Sequence, residues 1–425
     1  MANTLIAGAR VWDASGAPAF IGDVLVEGNR IRAVSRIPGQ LSGGVDCETI
    51  DGSGKTLIPG MTEGHAHLSF EAVTATEDLI TPPPEEQVFA AARGAKALID
   101  AGFTSAYGAS EAKLRLGVAV RNEVNAGRLQ GPRIRAAGLE ISVTGAMGDE
   151  SREHNPRVGP SIIVDGVEEM RKAVRFCCRE GCDNIKLDVS GDPFYPSTPG
   201  HTTPMTFDEV RVAVETAHAY GRKVNAHTRS IEGSKYCVRA GVDGLLHCEY
   251  SDEELLDMME EAKDRIFVAP TVSLWHSIVN GEASGSGLTP EVGAYMGIPP
   301  VLEAGIKTHT ELRKRGIRHL IGGDYGFAWS RQGTNARDLQ FFVDYYGYTP
   351  EGALLCATRN GGLAMRDDGE LGTITEGSLA DLLLVDGNPL EDLAIMTDHD
   401  RLVMIMKDGQ FHKKEPVAAP RRAVA

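Results

Sequence analysis

No uninterrupted apolar run in the 425 residues approaches the roughly 20 needed to cross a bilayer. The opening stretch, MANTLIAGARVWDASG, lacks a basic region followed by an apolar core, so no secretory leader is expected and the expected location is cytoplasmic. Positive charge is also in deficit: 43 Lys and Arg stand against 59 Asp and Glu, a net charge of −16. Nucleic acids and anionic membranes both need a basic footprint, so neither is an expected partner; a small molecule is. Cysteine is sparse, at seven residues. An odd count with Cys177 and Cys178 adjacent suggests no disulfide framework, and the C-x3-C of Cys178 and Cys182 has no second pair to complete a zinc knuckle. Reduced, mostly buried thiols are expected. One apparent motif also fails: GSGKT at 52–56 ends like a phosphate-binding loop, but Thr49 stands where its first glycine belongs and no helix follows.

What remains is ordinary globular composition, 42% hydrophobic and 24% charged, in a chain long enough for a large domain plus a small one. The first sixty residues read as short strands, TLIAGARVWD, DVLVEGNRIRAVS and KTLIP, separated by turn residues. LGTITEGSLADLLLVDG and LVMIMKDGQF near the other end have the same texture. Residues 1–60 and 366–415 are therefore expected to form one composite β-sandwich, with 416–425 as an extended tail. Between them strands alternate with helices. Strand starts near 61, 103, 133, 184, 223, 244, 266 and 318 give eight βα units, which predicts an α/β fold with a (β/α)8 TIM barrel over 61–365. The rival, a doubly wound open sheet, lacks its glycine-rich first turn.

Strand ends converge on one face of such a barrel, whatever their distance in sequence. Those ends carry His65 and His67, Lys186, His227, His247 and Asp324. Alternate strand positions point the same way, so His-Ala-His can offer two imidazoles to one ion. Each histidine alone reads equally as a packed core residue. Lys186 within NIKLDV and Asp324 within LIGGDYG are harder to dismiss, because a buried charge needs a partner.

Together these residues resemble the metal-dependent amidohydrolase superfamily. TPEGALLCATRNGGLAM and VMIMKDGQ further resemble its imidazolonepropionase and Xaa-Pro dipeptidase-like branch. The resemblance implies a hydrolase with two divalent ions, Zn2+ foremost with Mn2+ or Co2+ as alternatives. His65, His67 and Asp324 would hold one ion and His227 and His247 the other, bridged by a CO2-derived carbamate on Lys186. It also implies a bridging hydroxide as nucleophile, with Asp324 as catalytic proton shuttle. Mononuclear deaminases of the superfamily usually lack the lysine and carry a Glu after the fifth strand; here Lys186 is present and Glu232 comes late, which favours two ions. The expected reaction is hydrolysis of a C–N bond in an amide, carbamate or urea of a small aromatic or N-acyl substrate. Xaa-Pro dipeptide or carboxypeptidase chemistry is the alternative, and a non-catalytic scaffold is the reading from another class.

Three positions depart from the dipeptidase pattern. Thr62-Glu63 replaces Ile-Asp, Met147 stands where a substrate-holding histidine is usual, and Thr228-Arg229 follows the fifth-strand histidine in place of a tyrosine. Arg229, His201, Trp275, His276 and Tyr325 are the candidate substrate-binding residues. Tyr107, Phe327 and Trp329 are further candidates to line the pocket, an aromatic grouping in a chain only 6% aromatic. A homo-oligomer is expected.

Overall fold

The computed structural model describes residues 3–44, 46–195, 197–366 and 368–414, so the expected 416–425 tail lies outside the described residues. Strands from both ends of the chain share one eight-stranded sheet. Its order is Gln410–Lys414, Leu402–Lys407, Leu382–Val385, Thr56–Pro59, Thr4–Val11, Phe20–Glu27 and Arg30–Ser35, and Glu48–Asp51 also pairs with Thr4–Val11. One face of this sheet packs its own core, with Ile6, Val24, Ile31, Leu57, Leu382 and Met404 at 0–1% exposure. The GSGKT segment is the turn between Glu48–Asp51 and Thr56–Pro59: Lys55 N–H donates to the Gly52 carbonyl, and Gly54 takes φ +74°, a left-handed conformation that suits glycine.

The middle of the chain is parallel. Seven strands run in the order Ser161–Ile163, Glu140–Ser142, Asn184–Asp188, Lys223–Thr228, Gly244–His247, Phe267–Ala269 and Arg318–His319, and a three-stranded sheet holds Met61–Ala66, Phe103–Gly108 and Arg133–Arg135. Backbone hydrogen bonds link the two sheets at both flanks. Gly64 N–H donates to the Ile321 carbonyl at 2.8 Å, and Asp183 N–H to the Ala136 carbonyl at 2.7 Å. The strand expected to start near 133 is thus two short ones, Arg133–Arg135 and Glu140–Ser142, and Glu140 begins the second. Buried apolar strands are what parallel sheets covered by helices require, and Asn184–Asp188 and Gly244–His247 are buried at every position.

The helices follow local signals. Thr206 and Glu209 form a reciprocal capping box at the start of Phe207–Ala219. Ser230 caps Ile231–Ala240, and Gly241 ends it at φ +89°. Gly166–Arg179 buries Met170, Ala173, Val174, Cys177 and Cys178 along one face. All seven cysteines are free, and six are buried. No helix among the described residues is long and apolar enough to cross a membrane.

Candidate metal centre

A cavity of about 300 Å³ opens where the parallel strands end, and His65, His67, Lys186, His227, His247 and Asp324 all line it. The ligand atoms of His65, His67 and Asp324 lie within 4.8 Å of one another. Asp324 Oδ1 is 3.1 Å from His67 Nε2 and 3.8 Å from His65 Nε2. The His227 and His247 ring centroids are 4.4 Å apart, and His247 is 5.2 Å from His65. Four non-glycine residues here sit at positive φ: His247 (75°), Cys248 (54°), Thr271 (57°) and Asp324 (58°). Each such residue costs of order 1–3 kcal/mol and persists only where surrounding structure enforces it.

Three of the four imidazoles are fixed by a partner on one nitrogen, which leaves the other for a ligand. His67 Nδ1 donates to the Ser110 carbonyl at 2.9 Å, so Nε2 carries the lone pair. His227 Nε2 donates to the Gly191 carbonyl at 3.0 Å, which frees Nδ1. His247 Nδ1 bonds to Thr271 Oγ1 at 2.7 Å. His65 Nδ1 is buried and has no hydrogen-bond partner among the described residues. Burial holds His65 and His247 well below the ordinary imidazole range, and burial together with the Arg229 charge lowers His227 to about 4. Neutral imidazole is the ligating form. Burial would raise the Asp324 pKa, but the facing imidazoles of His65 and His67, with the Lys186 charge, outweigh it and keep the carboxylate ionised. Neutral nitrogens, one buried carboxylate and an orphaned ring nitrogen are a donor set that fits divalent metal.

Each half of the site has its own support. Glu63 accepts from the His65 backbone N–H at 3.0 Å and from Asn335 Nδ2 at 2.8 Å. Burial, with Asp338 nearby, pushes its carboxyl up to about 8. Glu63, the second residue of the unusual Thr62-Glu63 pair, therefore props the strand that presents the histidines. On the other side, His309 Nε2 donates to the His247 carbonyl at 2.7 Å. His309 Nδ1 then accepts from His319 Nε2 at 3.2 Å, and His319 Nδ1 from the Tyr348 hydroxyl at 2.9 Å. This chain pins the His247 backbone in its left-handed conformation.

Two carboxylates missing from the sequence reading face Lys186. Its Nζ is 3.1 Å from Glu140 Oε1 and 3.9 Å from Asp188 Oδ1. Burial opposes the ammonium, but Glu140 and Asp188 outweigh it and raise the lysine pKa; Lys186 in turn brings Glu140 down to about 2. Asp188 was legible, since two residues along a strand from Lys186 it points to the same face. Glu140 was hidden because it opens a second short strand after Arg133–Arg135, where only one was expected.

The substrate-binding candidates divide. Arg229, Phe327 and Trp329 line the cavity, as does Met147. Arg229 is buried rather than a solvated loop residue. It donates Nε to Asp192 at 2.8 Å and Nη1 to Glu249, with its guanidinium 4.5 Å over Trp275. Trp275 lies behind it, donates to Glu249 at 2.9 Å and stacks on Phe194, which does reach the cavity. The other candidates fall outside the lining. Tyr325 is buried and donates to Asp338 at 2.9 Å, His276 bonds to the Tyr345 hydroxyl at 2.7 Å, and His201 is solvent-exposed. Tyr107 points to the opposite end of the strands, in a small apolar void with Leu246 and Phe267.

Residues 56–411 match the amidohydrolase family, and the chain belongs to it. Its members are hydrolases acting on C–N bonds, and this protein is an enzyme of that class. The chain is 29% identical over 382 residues to an ochratoxinase of Aspergillus niger, covering 84% of this chain and 75% of that protein. The A. niger ochratoxinase crystal structure superposes with a TM-score of 0.84 at 25% identity, covering 97% of this chain and 96% of that one. A crystal structure of a Xaa-Pro dipeptidase with methionine in its active site gives 0.86 at 26% identity, over 97% of this chain and all (100%) of that one.

Proposed function

We propose that the protein is a binuclear metal-dependent amidohydrolase that cleaves the C–N bond of a small amide, carbamate or urea bearing an aromatic or N-acyl group. The observation that carries this is the single cavity onto which His65, His67, Lys186, His227, His247 and Asp324 converge. His65, His67 and Asp324 would hold one divalent ion, Zn2+ foremost; His227 and His247 would hold the second, and Lys186, as a CO2-derived carbamate, would supply an anionic oxygen ligand. The backbone bonds at both flanks of the parallel sheets support a closed (β/α)8 barrel over 61–365. The shared sheet supports a composite domain from 1–60 and 366–415. Free, buried thiols favour a cytoplasmic location.

When bound, the ions supply Lewis-acid polarisation of the scissile carbonyl and a nucleophilic hydroxide at neutral pH. The residues of the chain do the rest. Ser110, Gly191 and Thr271 orient His67, His227 and His247. The Asp324 carboxylate accepts the proton of the attacking water as the C–O bond forms, then gives it to the leaving nitrogen as the C–N bond breaks. Phe70, Leu79, Leu274, Phe327 and Trp329 wall the cavity with apolar surface that excludes water and suits an aromatic group. A panel of anilides, carbamates, phenylureas, N-acyl amino acids and Xaa-Pro dipeptides tests the reading. Chelator-sensitive turnover of at least one amide, carbamate or urea is expected, and turnover unaffected by chelator contradicts it. Hydrolysis of Xaa-Pro dipeptides is the second reading, favoured by the likeness to the Xaa-Pro dipeptidase structure.

A further inference from the structure

We infer that the segment from Gln332 to Asp338 is a brace that aims the ligands of the first ion, with Gln332, Asn335 and Asp338 as positioning residues. The inference rests on the proposed metal centre and names what fixes its His65, His67 and Asp324 half. Those ligands stand on opposite sides of a seam. His65 lies in Met61–Ala66 of the three-stranded sheet, with His67 just beyond it, and Asp324 follows Arg318–His319 of the seven-stranded one. The Gly64 N–H bond to the Ile321 carbonyl joins the two sides. From Gly322 to Gly326, however, the chain is in no strand, and Asp324 sits at φ +58°. No ladder therefore sets the aim of its carboxylate, and surrounding structure must hold the backbone there.

Three side chains spaced three residues apart do so. Gln332 Nε2 donates to the His67 carbonyl at 2.9 Å and to the Tyr325 carbonyl at 2.8 Å, so one amide spans the seam. The two acceptors fix its orientation, because the amide oxygen in that place would repel both. Asn335 Nδ2 donates to Glu63, which in turn accepts from the His65 backbone N–H. Asp338 accepts from the Gly322 N–H at 3.0 Å and from the Tyr325 hydroxyl at 2.9 Å, which brackets Asp324 on both sides. The paired glycines permit this approach. A Cβ at Gly322 would meet the His65 backbone nitrogen at 2.8 Å, and one at Gly323 would meet Asp338 Oδ1 at 2.8 Å. Asn335 and Asp338 are buried, and Asp338 belongs to the first turn of the helix Arg337–Tyr346, so the brace is anchored in a packed element. Among the described residues, none of the three bonds to Lys186, His227 or His247.

Chelator-competition titration with Zn2+ tests the brace by following the two ions separately. Gln332→Met keeps the length of the side chain and removes both donors. It should weaken one binding step by about tenfold and leave the other, which His247→Ala abolishes, unchanged. Circular dichroism and the Tm of the metal-free protein should stay at wild-type values, so the affinity loss is not a loss of fold. No change in affinity, equal loss from both steps, or loss from the step that His247→Ala abolishes overturns the inference. Tyr325→Phe decides the matter if Gln332→Met fails to fold, because it removes only the hydroxyl that Asp338 accepts. A loss of roughly threefold from the same first step sustains the brace, and unchanged affinity overturns it. Wild-type protein that takes up no Zn2+ overturns the proposed metal centre and the brace together, whereas two ions in wild type with unaltered affinities in the variants overturn the brace alone.

Discussion

In the half of the centre built by His65, His67 and Asp324, three ligand atoms stand within 4.8 Å, and the carboxylate lies directly against an imidazole. In the half built by His227, His247 and Lys186, the histidines are close and well oriented, but the lysine is engaged by Glu140 at 3.1 Å. The first half is prepared by its own side chains. The second, in the proposed reading, depends on converting an ammonium, stabilised by two carboxylates, into an anionic ligand. Preorganised ligands need no rearrangement to bind, so the first ion should bind more tightly than the second.

The largest expected effect breaks the first half. Asp324→Asn should cut kcat by roughly 100- to 10,000-fold while circular dichroism and Tm stay close to wild type; near-normal turnover would show the proton shuttle is misassigned. Removing ligands comes next. His65→Ala or His67→Ala should leave the protein with less than one ion per chain, whereas His247→Ala should retain about one, as read by metal analysis after gel filtration. Equal losses from both halves would erase the distinction drawn between them.

Lys186→Ala probes the conversion itself. The variant should lose the second ion and recover part of its activity with short carboxylic acids that substitute for the carbamate oxygens. A full metal complement in this variant, or an unmodified lysine by mass spectrometry of active wild type under native conditions, would remove the carbamate from the account. The smallest effects come from the supports. Glu63→Ala should weaken the first ion and His309→Phe the second, each by roughly tenfold in affinity. Should Glu63→Ala weaken the second ion instead, the pairing of supports with halves is wrong.

Much of this arrangement was legible because parallel strands obey simple rules. A charged or metal-binding residue within or just beyond a buried apolar run stands out, as Lys186, His247 and Asp324 do. The eight strand starts followed from the alternation of strand and helix patterns. The pocket wall was less legible, because side chains beyond a strand end can turn either way. Trp275 and His276 fall on the helix Val272–Val279, which turns His276 toward Tyr345 and away from the cavity. Tyr107 sits one residue before the end of Phe103–Gly108 and points inward at the opposite pole. The charge partners of Arg229 come from separate loops, Asp192 after one strand and Glu249 after another, and no local pattern announces them.

Metal analysis of the purified protein, paired with turnover before and after chelation, tests the central claim most directly. About two divalent ions per chain, with C–N hydrolysis lost on chelation and restored by added Zn2+, is the predicted result. Full hydrolytic activity in protein stripped of metal would contradict it.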